Sequence, residues 1–282
     1  MKQKSAKEKL CGAQGFEQYY SELYGERWAD LKKAFAEPAD SVEYHVPAAN
    51  DSYFLDSASI LAALSLPLEE AEDILDLCAA PGGKTLVLAS RMSETARLSA
   101  NERSPQRKHR LATVVQDCLP PQISERILVS CSDGSTWCTR QTECFDSILL
   151  DAPCSSERHV IADPKYLSQW SPSRIKTVTT EQWALLSSAY RLLRRGGYLL
   201  YSTCALSPQE NDLMLQRLVK KFGKEGSKDF EFLEPKPDLA QISKCASFTL
   251  PQWEKTQFGY QILPDKSNGA GPIYLSLIHK NS

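Results

Sequence analysis

Two cysteines, Cys154 in Asp151-Ala152-Pro153-Cys154 and Cys204 in Ser202-Thr203-Cys204, are the residues of this 282-residue chain that most directly suggest chemistry. Each follows a short apolar run that reads as a strand, Phe145 to Leu150 and Gly197 to Tyr201, so adjacent strands bring both thiols to one cleft. One cysteine at a strand end is ordinarily a small buried hydrophobe. Two in one cleft suit a reaction with an attack and a release. Methylation of a cytosine at C5 is such a reaction: C5 becomes nucleophilic only when a thiolate adds at C6, and the C5 proton must leave before that thiolate is eliminated. One cysteine adds, the second serves release, and Asp151 beside them holds the proton that addition requires on N3. A free thiol has a pKa of about 8.5, so a local field must favour the thiolate.

A methyl donor needs a loop, and Leu75-Asp76-Leu77-Cys78-Ala79-Ala80-Pro81-Gly82-Gly83-Lys84-Thr85 reads as a buried strand, a glycine turn and a helix. Adjacent glycines let backbone N–H groups approach a ligand with no Cβ in the way. A P-loop is excluded because Cys78 stands where its first glycine belongs, and a dinucleotide fingerprint is excluded because the glycines are adjacent. What remains is an open α/β sheet whose first loop holds S-adenosylmethionine. Glu102, ending the second strand after Arg97 to Asn101, is placed for the ribose hydroxyls. Asp133, after a third buried strand at Ile127 to Cys131, is placed for the adenine amino group, and Arg107 is the one basic residue of its helix expected at the site.

The elements that must carry these residues alternate. Ser104-Pro105 opens a helix with Leu111, Val114 and Val115 inward, and Trp183, Leu186, Tyr190 and Leu193 mark another. Ser207, Pro208 and Glu210 read as a capping box opening a helix to about Phe222. Late strands are expected at Gly259 to Leu263 and Ile273 to Ile278. Alternation of strand and helix predicts a parallel, doubly wound sheet. Towards the N-terminus, Phe16, Tyr19 or Tyr20 and Leu23 form one helical stripe. Tyr24, Trp28, Leu31 and Phe35 form a second beyond Gly25, and both are expected to pack as core. Pro38 to Asp51 reads as a connector, so residues 1–50 form a helical extension and residues 51–282 the catalytic domain.

Lysine and arginine number 33 against 35 acids, which excludes a global basic field, so any RNA contact is local. Nine cysteines without regular spacing point to a reducing compartment, and the absence of a CxxC or nearby histidine argues against zinc. Met1 to Leu10 is lysine-rich without an apolar signal core or transit-peptide arginines, and no run approaches a membrane span.

Taken together, LDLCAAPGGKT, DAPCS and YSTCALSPQEND, in that order, resemble the motifs of the Fmu/Sun/Nop RNA (cytosine-5) methyltransferases. FEQYYSELYGERWADL, YFLDSASIL, DAPCSSERH and GPIYLSLI look similar to the short Sun-type members without a large N-terminal RNA-binding domain. Many bacterial relatives carry Ser-Gly after the Pro-Cys motif, where this chain has Ser155-Ser156. The resemblance implies a Rossmann-like class I methyltransferase fold of about seven mostly parallel strands. It implies Cys204 as nucleophile, Cys154 assisting release and Asp151 holding the cytosine. It also implies an S-adenosyl-L-methionine site lined by Cys78, Ala79, Ala80, Pro81, Gly82, Gly83, Lys84, Glu102, Arg107, Asp133 and Asp151, and no metal. The RNA, ribosomal in preference to tRNA, is then held by Arg158, His159, Arg174 and Lys176, or by a partner protein or an assembling ribosomal subunit. A monomer in the cytoplasm is expected, with the mitochondrial matrix as the alternative. The competing class is a catalytically idle RNA-binding assembly factor, against which the intact cysteine pair argues.

Overall fold

The computed structural model describes residues 11–223 and 229–281. The lysine-rich opening Met1 to Leu10 therefore lies outside the described residues. The strands are β1 (Val42–Tyr44), β2 (Tyr53–Leu55), β3 (Asp73–Asp76), β4 (Arg97–Asn101), β5 (Ile127–Ser130) and β6 (Phe145–Asp151), then β7 (Leu193–Thr203), β8 (Phe230–Leu233), β9 (Glu254–Lys255), β10 (Tyr260–Ile262) and β11 (Ile273–Lys280). The helices are α1 (Gly12–Tyr24), α2 (Arg27–Ala36), α3 (Ser57–Leu64), α4 (Gly83–Ala89), α5 (Pro105–Asp117) and α6 (Pro121–Ser124), then α7 (Glu157–Ala162), α8 (Pro164–Ser168), α9 (Pro172–Leu192), α10 (Asp212–Phe222) and α11 (Leu239–Cys245).

Nine strands form the main sheet in the order β5-β4-β3-β6-β7-β11-β10-β9, with β8 also paired to β11. β3 to β7 run parallel, and β11 closes antiparallel on β7. β8 and β10 share one edge of β11, which lifts the count above the expected seven. The chain starts at β3, builds outward through β4 and β5, then returns to β6 and β7. A crevice consequently opens between the carboxyl ends of β3 and β6, where open α/β sheets bind ligands. Helices cover both faces. Leu61, Leu64, Leu86, Leu88 and Leu111 pack on one, and Leu185, Leu186, Met214, Leu215 and Leu218 on the other.

The N-terminal aromatics are core, as expected: Phe16, Tyr20, Trp28, Leu31 and Phe35 close around Trp170 and reach Val160 and Leu206 beside the cysteine loops. Leu23 is the exception on its stripe, at 38% exposure. Three expectations need correction. The segment 38–51 is not merely a connector, because β1 within it pairs antiparallel with β2. β5 is an edge strand, with Leu128 at 68% exposure, because an apolar run does not reveal that its outer side has no neighbour. The capping box does not form: α10 starts at Asp212, Ser207 Oγ bonds Gln209, and Glu210 turns inward to bury completely.

Candidate active site

The turn after β3 is held from both neighbouring strands. Leu77 N donates to Leu149 O, and Ala79 N donates to Asn101 O. Asn101 anchors the rim further, donating to the carbonyls of Leu77 and Ser132 while its Oδ1 accepts from Ser130 and Ser132. Gly82 takes φ +122, and a Cβ there would stand 2.8 Å from Val114 Cγ1, so a side chain is excluded by conformation and by space.

Cys78, Ala79, Ala80, Pro81, Gly83, Lys84 and Asp151 line one cavity with Tyr53, Leu55, Ser59 and Asp76. Gly82, Glu102, Arg107 and Asp133 lie outside its lining. Arg107 Nη2 donates to Ala80 O at 2.6 Å, and its Nη1 is 3.3 Å from Glu102 Oε2, so it ties the end of β4 to the loop. Glu102, 4% exposed, accepts from Ser104 N, while Asp133 is exposed and accepts from Ser135 N and Oγ. Burial, followed by the Asp76, Asp151 and Glu102 charges, pushes the Cys78 thiol well up, so Cys78 packs as a neutral thiol.

Asp76 supplies the test of whether this loop fits S-adenosylmethionine. Its Oδ2 accepts from Thr85 Oγ1 at 2.7 Å, but its Oδ1 is buried with no partner among the described residues. An unpaired buried carboxylate oxygen is costly, and an amino-acid ammonium would satisfy it. Burial first, then the Asp151 charge after the opposing Thr85 bond, pushes the Asp76 carboxyl up to about 7. The residues present therefore fit the cofactor, with Asp76 as an acceptor that the sequence reading missed.

The two cysteines meet as expected. β6 and β7 pair in parallel with Asp151 opposite Ser202, so the chain leaves both strands at one level. Cys154 Sγ lies 2.6 Å from Cys204 Sγ, and Ser156 Oγ is 3.4 Å from each sulfur. Ser156 takes φ +55, the left-handed region glycine favours. The hydrogen bond with Cys204, then burial and the Cys204 charge, push the Cys154 thiol well up.

Asp151 Oδ2 accepts from Lys84 Nζ at 2.8 Å and its Oδ1 from Ser202 Oγ at 2.8 Å. Lys84 also donates to Ser59 Oγ at 3.2 Å. Burial alone would push Lys84 down, but the charges of Asp151 and Cys204 carry it above its ordinary value. The lysine of the glycine loop is therefore a cation facing both Asp151 and Cys204. The sequence places Lys84 in the S-adenosylmethionine site but does not show its pairing with Asp151. A second cavity, about 420 Å³, has Cys204, Ser156, Asp56 and Ile273 in its lining and meets the first at Ser59.

His159 and Arg158 line this second cavity. Arg158 donates to the carbonyls of Gly269 and Gly271 and lies 5.1 Å over the Phe35 ring, holding the loop before β11. His159 is exposed against Tyr166, 4.9 Å between ring centres. Lys176 is exposed on α9, and Arg174, in its first turn, has a buried Nε without a partner among the described residues. Among the described residues no group of three or more His, Cys, Asp or Glu is placed to hold a metal, and no helix is long and apolar enough to cross a membrane.

The profile of the family described as 16S rRNA methyltransferase RsmB/F matches residues 63–277. The chain is 30% identical over 234 residues to the 5-cytosine rRNA methyltransferase NSUN4 of Mus musculus, covering 82% of this chain and 60% of that protein. It is 34% identical to the ribosomal RNA small subunit methyltransferase F of Aliivibrio fischeri (strain ATCC 700601 / ES114), covering 82% of this chain and 46% of that one. The chain thus spans about half to three-fifths of the length of these relatives. A methyltransferase homolog protein from Pyrococcus horikoshii superimposes with a TM-score of 0.70 over 94% of both chains at 20% identity, a likeness of fold.

Proposed function

Since the chain belongs to the RsmB/F family of RNA (cytosine-5) methyltransferases, we propose that it methylates C5 of a cytosine in RNA, with Cys204 as nucleophile and Cys154 serving release. The observation that carries this reading is the 2.6 Å approach of the two sulfurs, reached from separate strands, beside the Lys84–Asp151 ion pair. S-adenosyl-L-methionine, when bound, supplies an electrophilic methyl group on a sulfonium. Asp76 would accept its ammonium and Glu102 its ribose hydroxyls.

Cys204 gives up its thiol proton, which Asp151 relays to N3 of the cytosine, and forms a bond from sulfur to C6; the displaced electron pair collects at C5 while Asp151, itself paired with Lys84, accepts from the N3 proton. C5 takes the methyl group. The C5 proton then leaves to a base, and its bonding pair expels Cys204 as thiolate. Cys154 is suited to be that base for an electrostatic reason. The hydrogen bond of Cys204 is the first cause holding the Cys154 thiol up, ahead of burial, and it disappears once Cys204 is bonded to C6, so Cys154 can lose its own proton to solvent and then take the one from C5. Attack thereby frees the residue that release requires.

The RNA is a small-subunit ribosomal RNA in preference to a tRNA, and His159 in the lining of the second cavity, with Arg174 and Lys176 on α9, supplies a limited basic surface for it. A partner protein or assembled subunit would complete that surface. The experiment is methylation of unmodified small-subunit ribosomal RNA and of tRNA transcripts with labelled S-adenosylmethionine, read by bisulfite sequencing. Label appearing at a cytosine C5 supports the reading; no label on either RNA, free or within a subunit precursor, rejects it.

A further inference from the structure

Two carboxyl groups that the reaction above does not use lie against the cysteine pair. Glu157 and Glu210 are each 0% exposed, and their hydrogen-bond partners are neutral. Glu210 Oε2 accepts from Ser155 N at 2.9 Å and from Gln182 Nε2 at 3.0 Å, and the same Gln182 nitrogen donates to Pro153 O. Cys154 is therefore gripped through the residues on both sides of it. Glu157 Oε2 accepts from Leu206 N at 3.0 Å, two residues past Cys204, and its Oε1 accepts from Tyr20 OH at 2.5 Å. One carboxyl reaches from the Cys204 loop to the Cys154 loop, and the other reaches back.

The two meet at Ser155. Its Oγ lies within hydrogen-bond distance of Glu210 Oε1 and of Glu157 Oε1. A serine hydroxyl has one proton to donate, so both contacts are hydrogen bonds only if one carboxyl is itself a donor. Both Glu157 oxygens already accept, from Tyr20 and Leu206, whereas the other two donors to Glu210 both fall on Oε2, which leaves Glu210 Oε1. We propose that Glu210 is a protonated carboxylic acid donating to Ser155, and that the Glu210–Ser155–Glu157 chain is the clamp that positions Cys154 against Cys204.

The surroundings agree. Burial first and the Glu157 charge second push the Glu210 carboxyl up to about 7, over the opposing bonds from Ser155 and Gln182. The groups facing it are Ser155, Glu157 on α7, Gln182 on α9, Tyr20 on α1, Tyr201 on β7 and Cys154. None of these is a cation. The Tyr20 phenol is pushed far up by burial and then by Glu157, so it stays a donor. An ionised Glu210 would set two carboxylates against one hydroxyl and, as its charge also opposes ionisation of Cys154, would disfavour the base needed for release. Glu210 is on this account a positioning residue for the release step, a role that rests on the methyltransferase reading; its protonation does not.

Two variants separate the cases, because the amide of Glu210→Gln can donate to Ser155 as the acid does and Glu210→Ala cannot. Stability is read first. A carboxyl raised from 4.5 when unfolded to about 7 when folded stabilises the fold below 4.5 and loses that contribution as pH rises through 7. Wild type should lose more thermal stability than Glu210→Gln between pH ~6 and ~8.5. Infrared difference spectra should show a protonated carboxyl stretch in wild type that Glu210→Gln lacks. In the RNA reaction, decay of the Cys204 adduct should slow above neutral pH in wild type but not in Glu210→Gln. Glu210→Ala should prolong the adduct on the order of tenfold or more at all pH values. Equal pH slopes of stability in wild type and Glu210→Gln, or no carboxyl band, would overturn the protonated clamp whether or not RNA is methylated. An unprolonged adduct in Glu210→Ala would overturn the positioning role alone, whereas absence of any methyl transfer would reject the enzyme reading.

Discussion

The sulfurs of Cys154 and Cys204 lie 2.6 Å apart, and the Cys154 thiol is pushed up by that contact first and by burial second. The asymmetry of the pair lies in these surroundings of Cys154.

That asymmetry assigns the roles on a denaturing gel. With labelled RNA and S-adenosylmethionine, Cys154→Ala should accumulate a slow protein–RNA band, wild type should give a faint one, and Cys204→Ala and the double variant none. A strong band from Cys204→Ala alone would exchange the two roles.

Lys84→Met removes the cation facing both Asp151 and Cys204. It should slow adduct formation. It should also destabilise the fold by about 1–3 kcal/mol, below the range for fully buried pairs because Asp151 is 28% exposed. Adding Asp151→Asn should recover part of that stability in urea unfolding, but not the rate. A double variant no more stable than Lys84→Met would argue against the pair.

Asp76 carries a pH signature of its own. Its folded value of about 7 lies above its ordinary 3.8, so its contribution to stability is present below 3.8 and falls as pH rises through 7. An ammonium bound at the empty lone pair of Oδ1 reverses the preference and favours the carboxylate. Binding of S-adenosylmethionine near neutral pH should therefore release a proton, seen as a calorimetric heat that changes with the buffer. Asp76→Asn should abolish the buffer dependence; its persistence in the variant would remove Asp76 from the site.

Glu102→Ala should weaken cofactor binding while leaving the fold intact, since the carboxylate ends β4 and its internal partners are Ser104 N and Arg107. Calorimetry showing equal affinity in wild type and variant would place the ribose elsewhere.

RNA affinity should be modest and fall steeply with salt, because a small patch neutralises few phosphates. Arg174→Ala and Lys176→Ala should each flatten the salt dependence by about one unit. Tight binding indifferent to salt would exclude this patch.

The amino-acid sequence alone determined what depends on neighbours in the chain. The apolar runs at Ile74, Phe145 and Tyr198 became strands, the adjacent glycines made the turn after β3, and the order of elements specified a parallel sheet that sets the two cysteines side by side. Only the tertiary structure decided which buried polar group answers which. Ser207-Pro208-Gln209-Glu210 matches a helix cap, yet Glu210 turns to Ser155, because an inward carboxyl bonded to the cysteine loop satisfies buried donors that a surface cap would leave unpaired. Lys84 is a loop lysine until folding brings Asp151 within 2.8 Å, and Ile127 to Ser130 is an apolar run until the sheet ends beside it. Strand and turn preferences act over a few residues and are written locally, whereas the partners of buried charges and the exposure of a sheet edge arise from packing between segments remote in sequence.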